Sequence, residues 1–191
     1  MVAVGSFQDR RKFDSNYLGA IRGGYGNPLK KLMTPVPVSA VVQQSFADGL
    51  KARGLLSQSL EAPYTLTGVV EQYDCNQFAR REAHAKILVT VTETSSGTTL
   101  MEELFERDKV TGSMVTFDAG VFASTEDLRL VAADVLREVV DDALGSVTFR
   151  QIVTRSPPAS VPDPGTDPGI DPSNDYGTDP GITPSDVQAA R

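Results

Sequence analysis

The sequence has few of the residues that build metal or redox sites. Its 191 residues include one cysteine, Cys75, one histidine, His84, and no tryptophan. One cysteine excludes an internal disulfide, and a single Cys and His cannot complete a structural zinc site. We therefore expect neither a metal nor a cofactor.

Long hydrophobic runs are also missing. No run of 18 or more apolar residues occurs, although a membrane-spanning helix needs about 20. Residues 1–30 lack the apolar segment of a signal peptide. Because a strand pattern begins at Val2, we expect that Met1 is not the natural start, through either a missing signal sequence or a misassigned start codon. The alternative is a strand that is tied down at the N-terminus.

The charge is unevenly distributed. The formal net charge is −7, and residues 155–191 carry six aspartates against two arginines. The rest of the chain is therefore close to neutral, whereas nucleic-acid-binding domains usually carry a strong basic excess. We expect no nucleic-acid partner.

One segment departs from this neutrality. Residues 8–37 contain four glycines and three prolines, together with six basic residues against Asp9 and Asp14. Long loops within a compact domain are more often functional or mobile than ordinary connections, so we predict a long cationic loop here. Its basic residues are Arg10, Arg11, Lys12, Arg22, Lys30 and Lys31.

The apolar spacing predicts the remaining elements. Residues 2–7 alternate as a strand, Val38–Gly54 has the i, i+3, i+4 spacing of an amphipathic helix, and residues 124–144 repeat that spacing after an N-cap serine. Strand patterns follow at 64–73, 83–93 and 99–107. Residues 147–153 fit either a strand or a helical turn.

These elements predict an α+β fold for residues 1–154. We expect a small mixed sheet of four or five strands with two helices on one face, in the order β-loop-α-β-β-β-α. Residues 155–191 hold eight of the twelve prolines and repeat Gly-Thr-Asp-Pro-Gly-Ile at 165–170 and 177–182. Such a segment has too few apolar groups to offset the entropy of ordering, so we predict a disordered tail.

Two patterns partly match functional motifs, but one has the wrong spacing and the other lacks a supporting residue. Glycines beside lysines invite a phosphate-binding loop at 19–31, yet the order of the P-loop, with its Gly-Lys-Ser/Thr, is missing. Cys75 and His84 flank a predicted hairpin and would be the minimum for a Cys/His nucleophile, but no orienting group accompanies them. We predict that the protein is not an enzyme.

The start of the chain resembles the YajG-type family of Gram-negative envelope lipoproteins. The resemblance lies in Asp9 and Arg11 after the first strand, in Gly19, in the helix end Gly49-Leu50 with Gly54, and in the strand around Gly68. It covers roughly residues 2–145, and related transport-auxiliary and curli-secretion lipoproteins share this order of elements. The resemblance implies no catalytic residues, and the lipidated cysteine of the family is not in this chain.

The resemblance implies a non-catalytic domain that faces the periplasm, is tethered to the outer membrane and serves envelope binding or assembly. Its partner would be an envelope protein or anionic lipid, and homo-oligomers stay open. The alternative is a cytosolic anion- or nucleotide-binding module using loop 19–31. The predicted binding residues are Asp9, Arg10, Arg11, Lys12, Arg22, Lys30 and Lys31, with Asp9 and Arg11 alternatively pairing at the loop base.

Overall fold

The computed structural model describes residues 1–59, 62–111 and 124–155. The elements are β1 (Val2–Asp9), β2 (Tyr17–Arg22), β3 (Pro28–Met33), α1 (Val38–Ala52), β4 (Tyr64–Gln77), β5 (Arg81–Glu93), β6 (Thr99–Thr111), α2 (Thr125–Gly145) and α3 (Val147–Thr154). The predicted α+β class is confirmed, with six strands and three helices in the described residues instead of four or five strands and two helices. The predicted tail lies outside the described residues from position 156 onward.

Strand β4 is the centre of the sheet, whose strand order is β3-β2-β4-β5-β6. One side of β4 pairs with β5, and β5 pairs with β6, so the predicted antiparallel meander is confirmed. On the other side, β1 runs parallel to the first half of β4, and β2 runs parallel to its last residues. Two strands therefore share one edge of β4, end to end.

The predicted long loop at 8–37 is wrong in its middle, because β2 and β3 form an antiparallel hairpin there. Local pattern missed β2 because glycine weakens strand propensity and because its stabilising neighbour is β4, more than 50 residues away in sequence. Proline at the first position of β3 fits an edge strand, since no partner needs its missing N–H. The genuine loops are short, at 10–16 and 23–27.

The helices cover one face of the sheet. Helix α1 buries Val38, Val42, Phe46 and Leu50, one residue per turn, and Phe46 stacks on Phe7 of β1 with ring centroids 5.1 Å apart. Helix α2 packs on β4, β5 and β6 and lies beside α1. A Cβ on Gly49 would approach the Val140 side chain to 2.7 Å, so this glycine permits the close approach of the two helices. None of the helices in the described ranges is both long and apolar enough to cross a bilayer.

Helix ends follow their capping chemistry. After α1, Gly54 has a φ of +67°, and the N–H of Leu55 donates to the Leu50 carbonyl, which is the left-handed helix ending that glycine favours. Residues 147–154, left open between strand and helix, form α3. The Ser146 side chain accepts a hydrogen bond from the Phe149 N–H and so caps its first turn.

Gly19 gives a test of the parallel β2–β4 pairing. A Cβ built on Gly19 would overlap the backbone carbonyl of Cys75, which is on the partner strand and cannot rotate away. We expect Gly19→Ala to lower the free energy of unfolding by about 3 kcal/mol, at the upper end of typical overpacking costs. Gly24→Ala is the matched control, because nothing lies within 4 Å of its added methyl. Urea denaturation compares the two, and equal midpoints would contradict the observed pairing.

Candidate functional site

A buried ion pair fixes the base of the basic segment. The Arg11 side chain is 1% exposed and forms a bidentate ion pair with the Asp9 carboxylate. Its Nε donates to Oδ1 at 2.9 Å, and its Nη2 donates to Oδ2 at 2.8 Å. Its remaining N–H groups donate to three backbone carbonyls, those of Ser15, Tyr17 and Tyr73. Arg11 thus joins β1, the loop at 10–16, β2 and β4 through a single guanidinium.

The pair also sets the titration of Asp9. Burial raises the pKa of Asp9, but hydrogen bonds from the Arg11 side chain and backbone N–H, together with the Arg11 charge, lower it further than burial raises it. The net pKa lies below the usual carboxyl value, so Asp9 stays ionised at neutral pH. An ion pair this buried depends on both partners being present.

The structure contains the Asp9–Arg11 pair given above as the alternative to a partner contact. All the guanidinium donors of Arg11 are used inside the fold, so this arginine is not a surface cation, and the binding role of Asp9 and Arg11 stays a prediction. The other predicted basic residues are partly or fully exposed: Arg10, Lys12, Arg22, Lys30 and Lys31.

These five basic residues have no carboxylate partner within residues 1–59, 62–111 and 124–155. In the described residues, most other lysines and arginines of the sheet and helices form ion pairs, as Lys86 does with Glu106 and Arg107 with Asp142. None of the ion pairs involves any of the five, and Arg22 donates only to the Gly26 carbonyl. Within residues 8–37 the acidic residues are Asp9, which pairs with Arg11, and Asp14, so this segment carries a net positive charge.

Large apolar side chains are exposed beside these charges. Tyr25, at the tip of the hairpin, is fully exposed at 102% of its reference area, and Leu29 is 54% exposed. Lys31 and Met33 occupy alternate positions of β3 and therefore share one face, whereas Leu29 lies at an irregularity in the pairing of β2 with β3. Phe13 is 56% exposed and stacks on Tyr17, the cross-strand partner of Met33, with ring centroids 5.3 Å apart.

We call this region the hairpin surface. Its members are Arg10, Lys12, Phe13, Arg22, Tyr25, Leu29, Lys30, Lys31 and Met33. The sequence pattern predicted the basic residues but not the apolar ones, because a segment interpreted as a loop defines no face on which to place them. Residues 28–33 carry no alternating apolar pattern, since their leucines and methionine fall at positions 29, 32 and 33.

The structure does not bring together the other candidate groups. Cys75 pairs with Ala83 across β4 and β5, and His84 pairs with Asp74, so the side chains of Cys75 and His84 point to opposite faces of the sheet. His84 contacts Asp108 instead, at 2.6 Å. A Cys/His nucleophile is therefore excluded by geometry.

The phosphate-loop arrangement is not formed either. Gly19 lies inside β2 against β4, and Gly23 and Gly26 close a short turn by a hydrogen bond between them of 2.8 Å. The glycines of 19–31 thus have separate positions and do not line one cradle. Within the described ranges, no three His, Cys, Asp or Glu side chains are placed to share a metal ion.

Replacing Arg11 tests its role in the fold. We expect Arg11→Met to lower the free energy of unfolding by about 3–5 kcal/mol, because it leaves a buried carboxylate and three carbonyls without their donor. Arg10→Met, at the exposed neighbouring position, should change stability by less than about 0.5 kcal/mol. Urea denaturation at neutral pH measures both, and equal losses would contradict the structural role of Arg11.

The lowered pKa of Asp9 predicts a pH dependence. A carboxyl whose pKa is lower in the folded state stabilises the fold above its unfolded pKa, near 3.9 for Asp, and this stabilisation is lost as the pH falls through the folded pKa. Unfolding free energies measured from pH 6 down to pH 2 should therefore fall more steeply for the wild type than for Asp9→Asn. If the free energy of unfolding falls equally with pH in both proteins, the pKa of Asp9 is not lowered by folding.

Cys75 should be inert in the folded protein. Burial, and to a lesser degree the charge of Asp74, raises the pKa of the Cys75 thiol to about 12, and its side chain has no solvent-exposed area. Because the thiolate is the reactive form, alkylation by iodoacetamide at pH 7.5 should be at least about 100-fold slower in the native protein than in urea. Equal rates would place Cys75 at the surface.

A comparison with protein-family models gives no match, and neither does one with curated proteins. Among solved structures, the chain is similar to a Xanthomonas campestris protein of the DUF330 family, with 14% identity, a TM-score of 0.59, and 79% of this chain and 86% of that chain covered. It is also similar to a PelC dodecamer from Paraburkholderia phytofirmans, with 16% identity, a TM-score of 0.43, and 73% of this chain and 84% of that chain covered. For the rare lipoprotein B from Shewanella oneidensis, the identity is 8%, the TM-score is 0.39, and 71% of this chain and 96% of that chain are covered.

The likeness to the Xanthomonas campestris protein shows a shared fold at an identity too low to show more. The structures named above include a lipoprotein but no member of the YajG-type family, so that finer assignment stays a prediction. The comparisons therefore place this domain in an α+β fold that a DUF330 protein also adopts.

Proposed function

We propose that this domain is a non-catalytic envelope binding or assembly factor that faces the periplasm and associates with the outer membrane through anionic lipid. The resemblance of its sequence motifs to the YajG-type lipoproteins supports the envelope setting. The hairpin surface supports the lipid contact. One observation carries the proposal: residues 10–33 combine five basic residues that have no carboxylate partner in the described part of the chain with exposed aromatic and aliphatic side chains.

This combination suits a membrane surface better than a soluble acidic partner. Basic residues are attracted to anionic headgroups, and each contributes about 1 kcal/mol near such a surface. Exposed apolar side chains add binding energy by entering the headgroup region. Tyr25, with an apolar ring and a polar hydroxyl, has the amphipathic character that favours the membrane interface.

The fold also explains how the surface is presented. The hydrogen bonds of Arg11 and the pairing of β2 with β4 hold the base of the hairpin against the core. From that base the hairpin ends in an exposed turn at 23–27, and β3 is the edge strand of the sheet. A partner can therefore reach the tip and the outer strand without disturbing the core.

The alternative of a cytosolic nucleotide-binding module has less support. Its glycines do not form a cradle, and strand β3 lies between them and the start of α1, whereas a phosphate-binding loop leads directly into a helix.

Vesicle binding tests the proposal directly. We expect the full chain to sediment with phosphatidylglycerol-containing vesicles and not with pure phosphatidylcholine, with binding weakened by added salt. Lys30→Gln with Lys31→Gln should weaken the partition coefficient by about 30-fold, because two basic residues near an anionic surface contribute about 2 kcal/mol.

The matched control changes two exposed cations elsewhere. Lys51 and Arg150 also lack a carboxylate partner in the described residues, and they lie on α1 and α3. Lys51→Gln with Arg150→Gln removes the same net charge and should leave vesicle binding within about threefold of the wild type. If the two double variants bind equally, overall charge and not the hairpin surface governs association.

A further inference from the structure

Three polar side chains form a row at one end of the sheet. Gln77 is the last residue of β4, Arg81 is the first residue of β5, and Thr111 is the last residue of β6. Gln77 pairs directly with Arg81, and Arg81 pairs directly with Thr111. Residues that are directly opposite each other in neighbouring strands point to the same face, so the three side chains are neighbours. We call them the polar row.

Each residue of the polar row has a buried atom that forms no hydrogen bond within the described part of the chain. These atoms are Gln77 Oε1, Arg81 Nε and Thr111 Oγ1. Gln77 as a whole is only 7% exposed. An unpaired buried polar atom is costly, and most such atoms in folded proteins have a partner. Three of them in one row therefore point to a ligand that supplies the missing partners.

The polar row lies beneath the N-terminus of α2. Arg81 Nη2 donates to Asp127 Oδ2, in the first turn of that helix, at 2.9 Å. This contact places the row on the face of the sheet that the helices cover. Along the same face, the next pair is Cys75 with Ala83, and both of these residues are fully buried in the core. The Gln77 amide is therefore directed toward the start of α2.

The charges around the polar row are already paired. Arg81 pairs with Asp127, and Arg129 of the same helix pairs with Glu126 at 3.4 Å. The side chains of Arg81 and Asp127 are 32% and 48% exposed, so their ion pair lies where the row meets solvent. Exposed ion pairs contribute little stability, so Arg81 can move at small cost to admit a ligand. These surroundings favour an uncharged ligand.

The unpaired atoms determine which ligand chemistry fits. Gln77 Oε1 needs a donor, Arg81 Nε needs an acceptor, and the Thr111 hydroxyl accepts either. A hydroxyl group donates and accepts through one atom, so it also suits both orientations of the Gln77 amide. Two neighbouring hydroxyls satisfy all three atoms. Phe78, in the turn that follows Gln77, is 51% exposed and adds apolar surface next to the row.

We propose that the polar row binds a neutral polyhydroxy molecule, namely a sugar or another polyol. One hydroxyl donates to Gln77 Oε1 and accepts from Arg81 Nε, and a neighbouring hydroxyl pairs with Thr111 Oγ1. The site includes no residue of the hairpin surface and none of residues 112–123. It adds a binding activity to the function proposed above and does not depend on lipid contact.

Nuclear magnetic resonance with the full ¹⁵N-labelled chain, in the absence of lipid, tests the site. The side-chain amide of Gln77 and the Nε–H of Arg81 give separate signals, and glucose, mannose and galactose are titrated one at a time. We expect at least one sugar to shift both signals in a saturable way, with a dissociation constant of about 1–10 mM because few hydrogen bonds hold it. No saturable shift with any of the three sugars would overturn the proposal.

Inorganic phosphate at equal ionic strength tests the charge of the ligand. Since the arginine of the polar row is already paired, phosphate should leave both signals unchanged. A saturable shift with phosphate and none with the sugars would identify an anion site and contradict the proposal.

Gln77→Met removes the amide and keeps an unbranched side chain of similar length. The sugar affinity should fall by about two- to tenfold, the usual contribution of one neutral hydrogen bond. Because the variant also removes a buried polar atom that has no partner, its urea midpoint should equal or exceed that of the wild type. Unchanged sugar affinity, or a clearly lower midpoint, would count against the assignment of Gln77 to the ligand.

Gln72→Met is the matched control on the same strand. Gln72 lies on the opposite face of β4, and its Nε2 donates to Asp74 Oδ1 at 2.8 Å. We expect this variant to lower the urea midpoint, because a buried carboxylate loses a donor, and to leave the sugar affinity unchanged. If both glutamine variants lose sugar affinity equally, the sugar binds without the polar row.

Arg81→Lys tests the Nε donor separately. Lysine keeps the positive charge beside Asp127 but has no nitrogen at the Nε position. We expect the sugar affinity to fall by at least about tenfold, as is usual for a lost hydrogen bond to a charged group. Unchanged affinity would overturn the assignment of the ligand hydroxyl to Arg81.

Discussion

The buried guanidinium of Arg11 is the contact on which this side of the molecule depends. It neutralises Asp9 at the end of β1 and donates to carbonyls of Ser15, Tyr17 and Tyr73, so β1, the loop at 10–16, β2 and β4 meet at one group. Desolvating a charge is costly, and the cost is offset here by a two-pronged ion pair and by using every donor. Because the geometry is fixed by several partners at once, the hairpin that follows has a rigid base.

The residues that suggested a family resemblance turn out to be positions where packing leaves little choice. Gly19 touches the backbone of β4, and Gly49 lies where the side chains of α2 come closest. Gly68 leaves room for the Phe7 ring, which a Cβ there would overlap. Gly54 has a left-handed backbone conformation at the end of α1. Such constraints belong to the fold, which agrees with a structural likeness that extends over most of the chain at low sequence identity.

Two surfaces of different chemistry result from this frame. Among the residues that the structure describes, the hairpin surface combines cations without a carboxylate partner with exposed apolar residues, whereas the cleft between α1 and α2 has apolar walls and a rim of paired charges. A cationic surface attracts anions over a distance of about a Debye length, and an apolar surface acts only on contact.

The sequence by itself determined the elements whose signals are local. Repeating apolar spacing located α1 and α2, alternation located β1 and the β4–β5–β6 meander, and the basic residues of the hairpin surface were evident from composition. Only the tertiary structure decided whether Arg11 faced solvent, because its burial depends on carbonyls as far away as Tyr73. The tertiary structure also decided that residues 17–22 form a strand, because Gly19 lies against the backbone of β4. It likewise formed the cleft between α1 and α2, where two helices and a strand meet. Long-range pairing leaves no periodic trace in a short segment, and for that reason local patterns could not reveal these features.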